Sequence, residues 1–306
     1  MNKEQFDRMK NGKGFIAALD QSGGSTPKAL LNYGVKEDAY SNEEEMFECV
    51  HEMRKRIITN ESFTSDRILA AILFKVTMNS KVSDKYTGDY LWEEKHIVPI
   101  LKIDEGLDEL KDGVQLMKPF KHIDELLENA KERNIFGTKM RSVIKELNEE
   151  SIKRVVEQQF EYAIKISNAG FVPIIEPEVD IHTEKKAEIE EILKKYLIEG
   201  LKKLDKENYV MFKLTLPEKE NLYEDLYNYG QTVRVVALSG GYSRDFANEK
   251  LRKNKNVIAS YSRALTEGLN VNQNDEEFTK TLDDSIEKNY SCLLYTSDAA
   301  DDSTEV

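Results

Sequence analysis

Short apolar runs return eight times along the chain, and most are separated by charged stretches whose apolar residues recur at helical spacing. The runs are GFIAALD (14–20), ILAAILF (68–74), VPILKID (98–104), GTKMR around 138, FVPIIEPE (171–178), VMFKLTL (210–216), VRVVALS (233–239) and VIASYSR (257–263). Stretches 42–58, 150–167 and 183–204 are the clearest helices between them. Strand and helix alternating eight times predict an α/β chain whose parallel sheet closes into a (β/α)₈ TIM barrel in one domain. A doubly wound open sheet is the alternative. The 306 residues suffice for one such barrel and a large core.

Polar residues at the ends of these runs show a consistent parity. Residues two apart on a strand share a face. Ile100, Lys102 and Asp104 share one, as do Lys139 with Arg141, Glu176 with Glu178, and Met211 with Lys213 and Thr215. Asp20 ends the first run, and Tyr261 with Arg263 are expected to close the series on the eighth. The opposite parity carries Leu101, Ile103, Phe171, Ile175, Phe212 and Leu214, suited to packing under helices. The polar set is therefore expected inside the barrel near its C-terminal mouth, where barrel enzymes build active sites.

Lys213 is the residue with the sharpest chemical meaning. An ammonium is costly to bury alone, and burial lowers an amine's pKa. A lysine on a buried strand is either held by a carboxylate or used as an amine nucleophile on a carbonyl. Glu176 and Glu178, at the end of another buried run, offer both possibilities: a structural ion pair, or Schiff-base carbon–carbon chemistry.

The net charge of −13 (44 basic against 57 acidic residues) argues against nucleic acid, and no basic stretch lacks interleaved acids. Capture of an anionic substrate then falls to local cations, and the mouth gathers Lys102, Lys139, Arg141, Lys213 and Arg263 against Asp20, Asp104, Glu176 and Glu178. Ser239, Gly240 and Gly241 follow the seventh run and Arg263 ends the eighth, the place where barrels often hold phosphate. The DQSGGS segment (20–25), with Ser22 and Ser25, is a second such loop, expected opposite the first. Two anion sites around one amine imply a substrate phosphorylated at both ends.

Cys49 and Cys292 have no metal-like spacing, and the four histidines never fall three or four apart, so neither a disulfide framework nor a zinc mechanism is expected. No apolar run approaches the ~20 residues that span a bilayer, and the N-terminal MNKEQFDRMKNG is charged and amphipathic, so a cytoplasmic protein is expected. No sustained heptad seam fixes an oligomeric state. Residues 1–290 read as the barrel domain. Residues 291–306 lose helical period, carry no basic residue, and are expected to be a disordered, non-native appendage.

Taken in order, GKGFIAALDQSGGSTPKAL (12–30), LKIDEG (101–106), KDGVQLMKP (111–119), IFGTKMRS (135–142), VPIIEPEV (172–179), VMFKLT (210–215), LSGGYSR (238–244) and SRAL (262–265) resemble class I fructose-1,6-bisphosphate aldolases of the shorter bacterial type. The resemblance covers nearly the whole chain and implies a metal-free lyase acting on a sugar bisphosphate. It implies that Lys213 forms the iminium and that Glu176 is the general acid and base, with a raised, tunable pKa. Asp20 would handle the C4 hydroxyl proton, and Lys139 would poise the others by its charge. Lys102, Arg141 and Glu178 would order hydroxyls and water; Ser239, Gly240, Gly241 and Arg263 would bind the ketone-side phosphate, with Ser22 and Ser25 near the far one. Departures are Gln21, where animal enzymes carry glutamate, Ser262, where they carry glycine, and Lys75–Val76, where related sequences tend to an acid. Other Schiff-base lyases, for tagatose bisphosphate or deoxyribose phosphate, and a non-catalytic sugar-phosphate-binding barrel are the alternatives.

Overall fold

Eight parallel strands form one sheet in sequence order: β1 (Phe15–Leu19), β2 (Ile68–Leu73), β3 (Val98–Lys102), β4 (Gly137–Ile144), β5 (Val172–Val179), β6 (Val210–Thr215), β7 (Thr232–Leu238) and β8 (Val257–Ala259). The computed structural model describes residues 1–301; the side chains of Gly23, Arg263, Ala264 and residues 294–301 lie outside the description. β8 returns beside β1, so the sheet is a nearly closed barrel, as the alternation predicts, and not an open doubly wound sheet. Helices form the outer layer: α1 (Lys3–Asn11), α2 (Thr26–Asn32), α3 (Glu43–Thr59), α4 (Lys75–Asn79), α5 (Thr87–Glu93), α6 (Ile123–Lys131), α7 (Glu149–Asn168), α8 (Lys186–Lys203), α9 (Arg244–Arg252), α10 (Ser262–Thr266) and α11 (Asp275–Asp301).

Local signals explain the helix starts. Asn42 and Asn148 cap α3 and α7 by accepting the N–H groups of Glu45 (2.9 Å) and Ser151 (3.1 Å), and glutamates fill both first turns. Each helix then lays an apolar stripe on the strands, such as Ile152, Val155, Val156, Phe160 and Ala163 of α7. The strands are buried on both faces, which is why they read as continuous apolar runs.

The fourth run, barely marked in sequence, is one of the two longest strands, eight residues from Gly137 to Ile144. Gly137 is needed there: a Cβ would lie 2.2 Å from Val172 O on the neighbouring strand. A short antiparallel strand, Val114–Gln115, pairs with its far end.

One expectation needs correction. The eighth strand ends at Ala259, so Tyr261 and Arg263 do not share a strand face. The Ser260 N–H still reaches Ala237 O at 2.9 Å; the chain then turns into α10 as Tyr261 buries its ring and donates its hydroxyl to Ala247 O on α9. α11 continues to Asp301, and Leu293 extends the buried stripe of Phe278, Leu282, Ile286 and Asn289, with Cys292 buried beside it. Residues 302–306 lie outside the described residues.

β5 and β6 pair directly only at Ile174–Met211 and Ile175–Phe212. Pro177, which has no N–H to give, falls in the gap that follows. Thr215 closes it from the other side, its Oγ1 accepting from Val179 N and donating to Val179 O, both at 2.9 Å. Glu176 and Lys213 are the next residues along each strand after the last direct pair, so the ladder opens where they meet.

Candidate active site

A chain of alternating charges crosses the inside of the mouth. Lys139 Nζ on β4 lies 2.7 Å from Asp20 Oδ2, just past β1, and 3.0 Å from Glu176 Oε2 on β5. Glu176 Oε1 lies 3.1 Å from Lys213 Nζ on β6. The side chains of Lys139 and Glu176 are each 4% exposed and that of Lys213 is 7%. Glu176 Oε2 has the Lys139 ammonium close by, yet no well-directed hydrogen bond reaches it.

Parity and register produce this cluster. Lys139 faces Lys102 across β3–β4, and Arg141 stands in register with Glu176 across β4–β5. The second tier of polar groups pairs there: Arg141 Nε donates to Glu178 Oε2 at 2.5 Å, and Asp104 Oδ2 accepts the Arg141 N–H at 3.3 Å. Lys102 Nζ lies 3.5 Å from Asp104 Oδ1 and donates to Ser22 Oγ at 2.6 Å. Of the charged residues that the sequence predicts at the mouth, Asp20, Lys102, Asp104, Lys139, Arg141, Glu176, Glu178 and Lys213 are thus brought together with Ser22.

The electrostatics revise one expectation. Burial pushes the Glu176 carboxyl up, but Lys139, Lys213 and Arg141 outweigh it and hold the group below its ordinary value. A raised Glu176 pKa is therefore not the resting state of this protein; three cations face the carboxylate. Asp20 behaves alike: burial opposes ionisation, and Lys139, Lys213 and Lys102 overcome it. Lys139, buried between two carboxylates with Asp104 nearby, is held firmly protonated. Arg141 is raised against burial chiefly by Glu178.

The two glycine-rich loops are more varied. Gly240 and Gly241 have φ of +61° and +116°, conformations that a side chain resists. A Cβ on Gly240 would also lie 2.9 Å from Ile181 Cγ2. The Ser239 carbonyl accepts the Tyr242 N–H at 3.0 Å, closing this loop as a turn. Ser25 is exposed, and its hydroxyl donates to Ser22 O at 2.9 Å within its own turn. The loop after β1 is not opposite the loops after β7 and β8: Gln21 Nε2 donates to Ser262 Oγ at the start of α10, while Ser22 reaches Lys102 on β3. The Arg263 side chain falls outside the described residues, and its backbone belongs to α10.

Sequence reading missed two buried cations that support the mouth. Arg54 on α3 is 1% exposed and holds Gln21 O and Thr77 Oγ1, both at 2.6 Å. Lys186 on α8 pairs with Glu190 and donates to Leu216 O at 2.7 Å, fixing the exit of the strand that carries Lys213. The signal was a cation on the apolar stripe: Arg54 lies between Val50 and Ile58 at steps of four, and Lys186 three before Ile189. A cavity of about 690 Å³ beside α3 is lined by none of these mouth residues; Glu45, Glu48 and Glu52 line it together with Lys55 and Arg56.

Comparison with known proteins agrees with this geometry. The family model described as "Glycolytic: Fructose-bisphosphate aldolase class-I" matches residues 4–223. A Clostridium acetobutylicum protein named fructose-bisphosphate aldolase class 1 is 61% identical over 294 residues, which are 96% of this chain and all of that protein. The match therefore also takes in the loops after β7 and β8, beyond the family model's span. Among solved structures, fructose-bisphosphate aldolase from Plasmodium falciparum, crystallised with TRAP and a small-molecule inhibitor, superposes with a TM-score of 0.76 at 19% identity, covering 96% of this chain and 95% of that one. A Corynebacterium glutamicum protein shares the fold more distantly, at TM-score 0.54 and 11% identity over 94% of this chain and 91% of that one. With a buried lysine, its carboxylate partner and a matching family model on one barrel, this chain belongs to the class I fructose-bisphosphate aldolase family.

Proposed function

We propose that this protein reversibly cleaves fructose 1,6-bisphosphate to glycerone phosphate and glyceraldehyde 3-phosphate through an iminium on Lys213, in the cytoplasm. The observation that carries the reading is the Lys213–Glu176 contact at 3.1 Å, with Lys139 shared between Glu176 and Asp20. That arrangement gives an amine, a carboxylate able to move protons to and from it, and a second carboxylate beyond them.

In the first step Lys213, its proton passed to Glu176, adds to the ketone carbon C2. Glu176 returns a proton to the carbinolamine hydroxyl, which leaves as water. The cationic iminium then draws in the electrons of the C3–C4 bond as Asp20 takes the proton of the C4 hydroxyl, and the aldehyde leaves. The resulting enamine is protonated at C3, and water hydrolyses the iminium to free glycerone phosphate and Lys213. Bound phosphate charge and expelled water both favour protonated carboxylates, so substrate binding itself moves Glu176 away from its low resting pKa. Class I members need no metal, because the iminium supplies the electron sink. Lys102, Arg141 and Glu178 are assigned to the substrate hydroxyls, Ser239, Gly240, Gly241 and Arg263 to the ketone-side phosphate, and Ser22 to the far one. Ser25 is assigned with Ser22 and must turn out of its local hydrogen bond to contribute.

A coupled assay on purified protein is expected to show cleavage of fructose 1,6-bisphosphate that EDTA leaves unchanged. Turnover of tagatose 1,6-bisphosphate or deoxyribose 5-phosphate is expected to be at least about tenfold slower, since misplaced hydroxyls leave buried polar groups unpaired. Chelator-sensitive activity restored by a divalent metal, or preference for either other sugar, would overturn the assignment.

A further inference from the structure

Beside the cluster just described lies a buried guanidinium that the chemistry does not use. Arg54 is 1% exposed, and among the described residues no carboxylate lies in ion-pair contact with it. Its two terminal nitrogens work as a fork: Nη2 donates to the main-chain carbonyl of Gln21 at 2.6 Å and Nη1 to Thr77 Oγ1 at 2.6 Å. Burial of the group lowers its proton affinity to a pKa of about 10, against which the charge of nearby Asp20 works. A cation kept in such a place needs an offsetting role.

The carbonyl that it holds belongs to the residue directly after Asp20. The Gln21 side chain continues the connection, with Nε2 donating to Ser262 Oγ and lying 3.5 Å from Ala18 O on β1. One guanidinium therefore ties the exit of β1 to α4 and, through Gln21, to the start of α10. Asp20 meets Lys139 from the barrel side at 2.7 Å, and the carbonyl of the next residue is held from the helix side by Arg54.

We propose that Arg54 is a positioning residue for Asp20: by holding the Gln21 carbonyl it fixes the chain segment directly after Asp20 and so the aim of the Asp20 carboxylate, and it couples that carboxylate to the end of the barrel carrying Ser262. The inference rests on the aldol-cleavage reading. It separates two partial reactions, because iminium formation with glycerone phosphate uses Lys213 and Glu176, whereas C3–C4 cleavage also uses Asp20.

The test measures steady-state cleavage of fructose 1,6-bisphosphate and, separately, borohydride trapping of the glycerone phosphate adduct. In Arg54→Met, kcat for cleavage is expected to fall by about 10- to 100-fold from misalignment. KM and the rate of adduct trapping should change by less than about threefold, the pattern of an interaction used mainly in the transition state. Arg54→Lys, which keeps the charge and loses the fork, should recover part of kcat. Unchanged cleavage, or cleavage and trapping falling together in a folded variant, would overturn the proposal. Should Arg54→Met not fold, Gln21→Met decides instead: it keeps the Arg54 bond to the Gln21 carbonyl and removes the side-chain contacts to Ser262, Ala18 and Arg54, and a selective loss of cleavage supports the coupling while wild-type cleavage refutes it. A wild-type protein that gives no adduct at all would sink the aldolase reading itself, and this inference with it.

Discussion

Lys213→Met is expected to abolish cleavage, by about 10⁴-fold or more, while the protein remains folded. Methionine has nearly the length of lysine, so the space between β6 and β5 stays filled. Glu176 keeps its other cation, Lys139, at 3.0 Å, so no carboxylate is left alone. The stability change should therefore stay within about 2 kcal/mol, well short of the cost of stranding a buried charge. Circular dichroism and denaturant unfolding, run beside the cleavage assay, separate the two effects. A variant that turns over substrate at a tenth of the normal rate would remove Lys213 from the chemistry. One that loses its fold along with its activity would make the lysine a structural partner of Glu176.

Lys139→Met should instead damage both stability and turnover. Lys139 is the ammonium between Asp20 and Glu176, and neither carboxylate has a well-exposed route to water: their side chains are 12% and 4% exposed. Removing it is expected to cost about 3–5 kcal/mol at neutral pH, the usual penalty for breaking a buried ion pair from one side. Cleavage should fall by about 10²- to 10⁴-fold, because both proton-transfer groups are then set at the wrong pKa.

The pH dependence gives that prediction its signature. In the intact protein, cations hold Asp20 and Glu176 below their ordinary values. Their contribution to stability is full above the unfolded carboxylate pKa of about 4 and is lost as pH falls through the lower folded values. Without Lys139, burial outweighs the remaining cations, the folded values rise, and the variant loses stability as pH increases past about 4. The gap between the two proteins should therefore be widest near pH 7.5 and should narrow towards pH 5. Urea unfolding at both pH values measures it. A gap independent of pH would mean that the ammonium does not hold these carboxylates ionised.

The residues of this cluster were legible in the sequence because a strand has an integral period. Two-residue spacing alone places Lys139 with Arg141, Glu176 with Glu178, and Lys213 with Thr215 on common faces, and parallel order turns those faces into one mouth. The parity argument failed at VIASYSR because it assumed that the strand continued. Tyr261 is taken by α9 instead, and nothing local announces a turn that is fixed by packing. Arg54 stayed hidden for a related reason. In MRKRII it looks like one of several surface cations, and only its place among Val50, Met53, Ile57 and Ile58 marks it as inward. The low pKa of Glu176 was also beyond the sequence, since it depends on three cations from two strands converging on one carboxylate. At the C-terminal end, Cys292 and Leu293 are buried although SCLLYTSDAADDSTEV lacks basic residues.

Adduct mapping tests the central claim most directly. The protein is incubated with glycerone phosphate, reduced with borohydride, digested, and the mass shift is located by peptide sequencing. A single reduced adduct on Lys213, absent when borohydride is omitted and absent from Lys213→Met, is the predicted result. An adduct on another lysine, or none in a folded protein with intact Glu176, would contradict the iminium mechanism and return Lys213 to the role of a buried ion-pair partner.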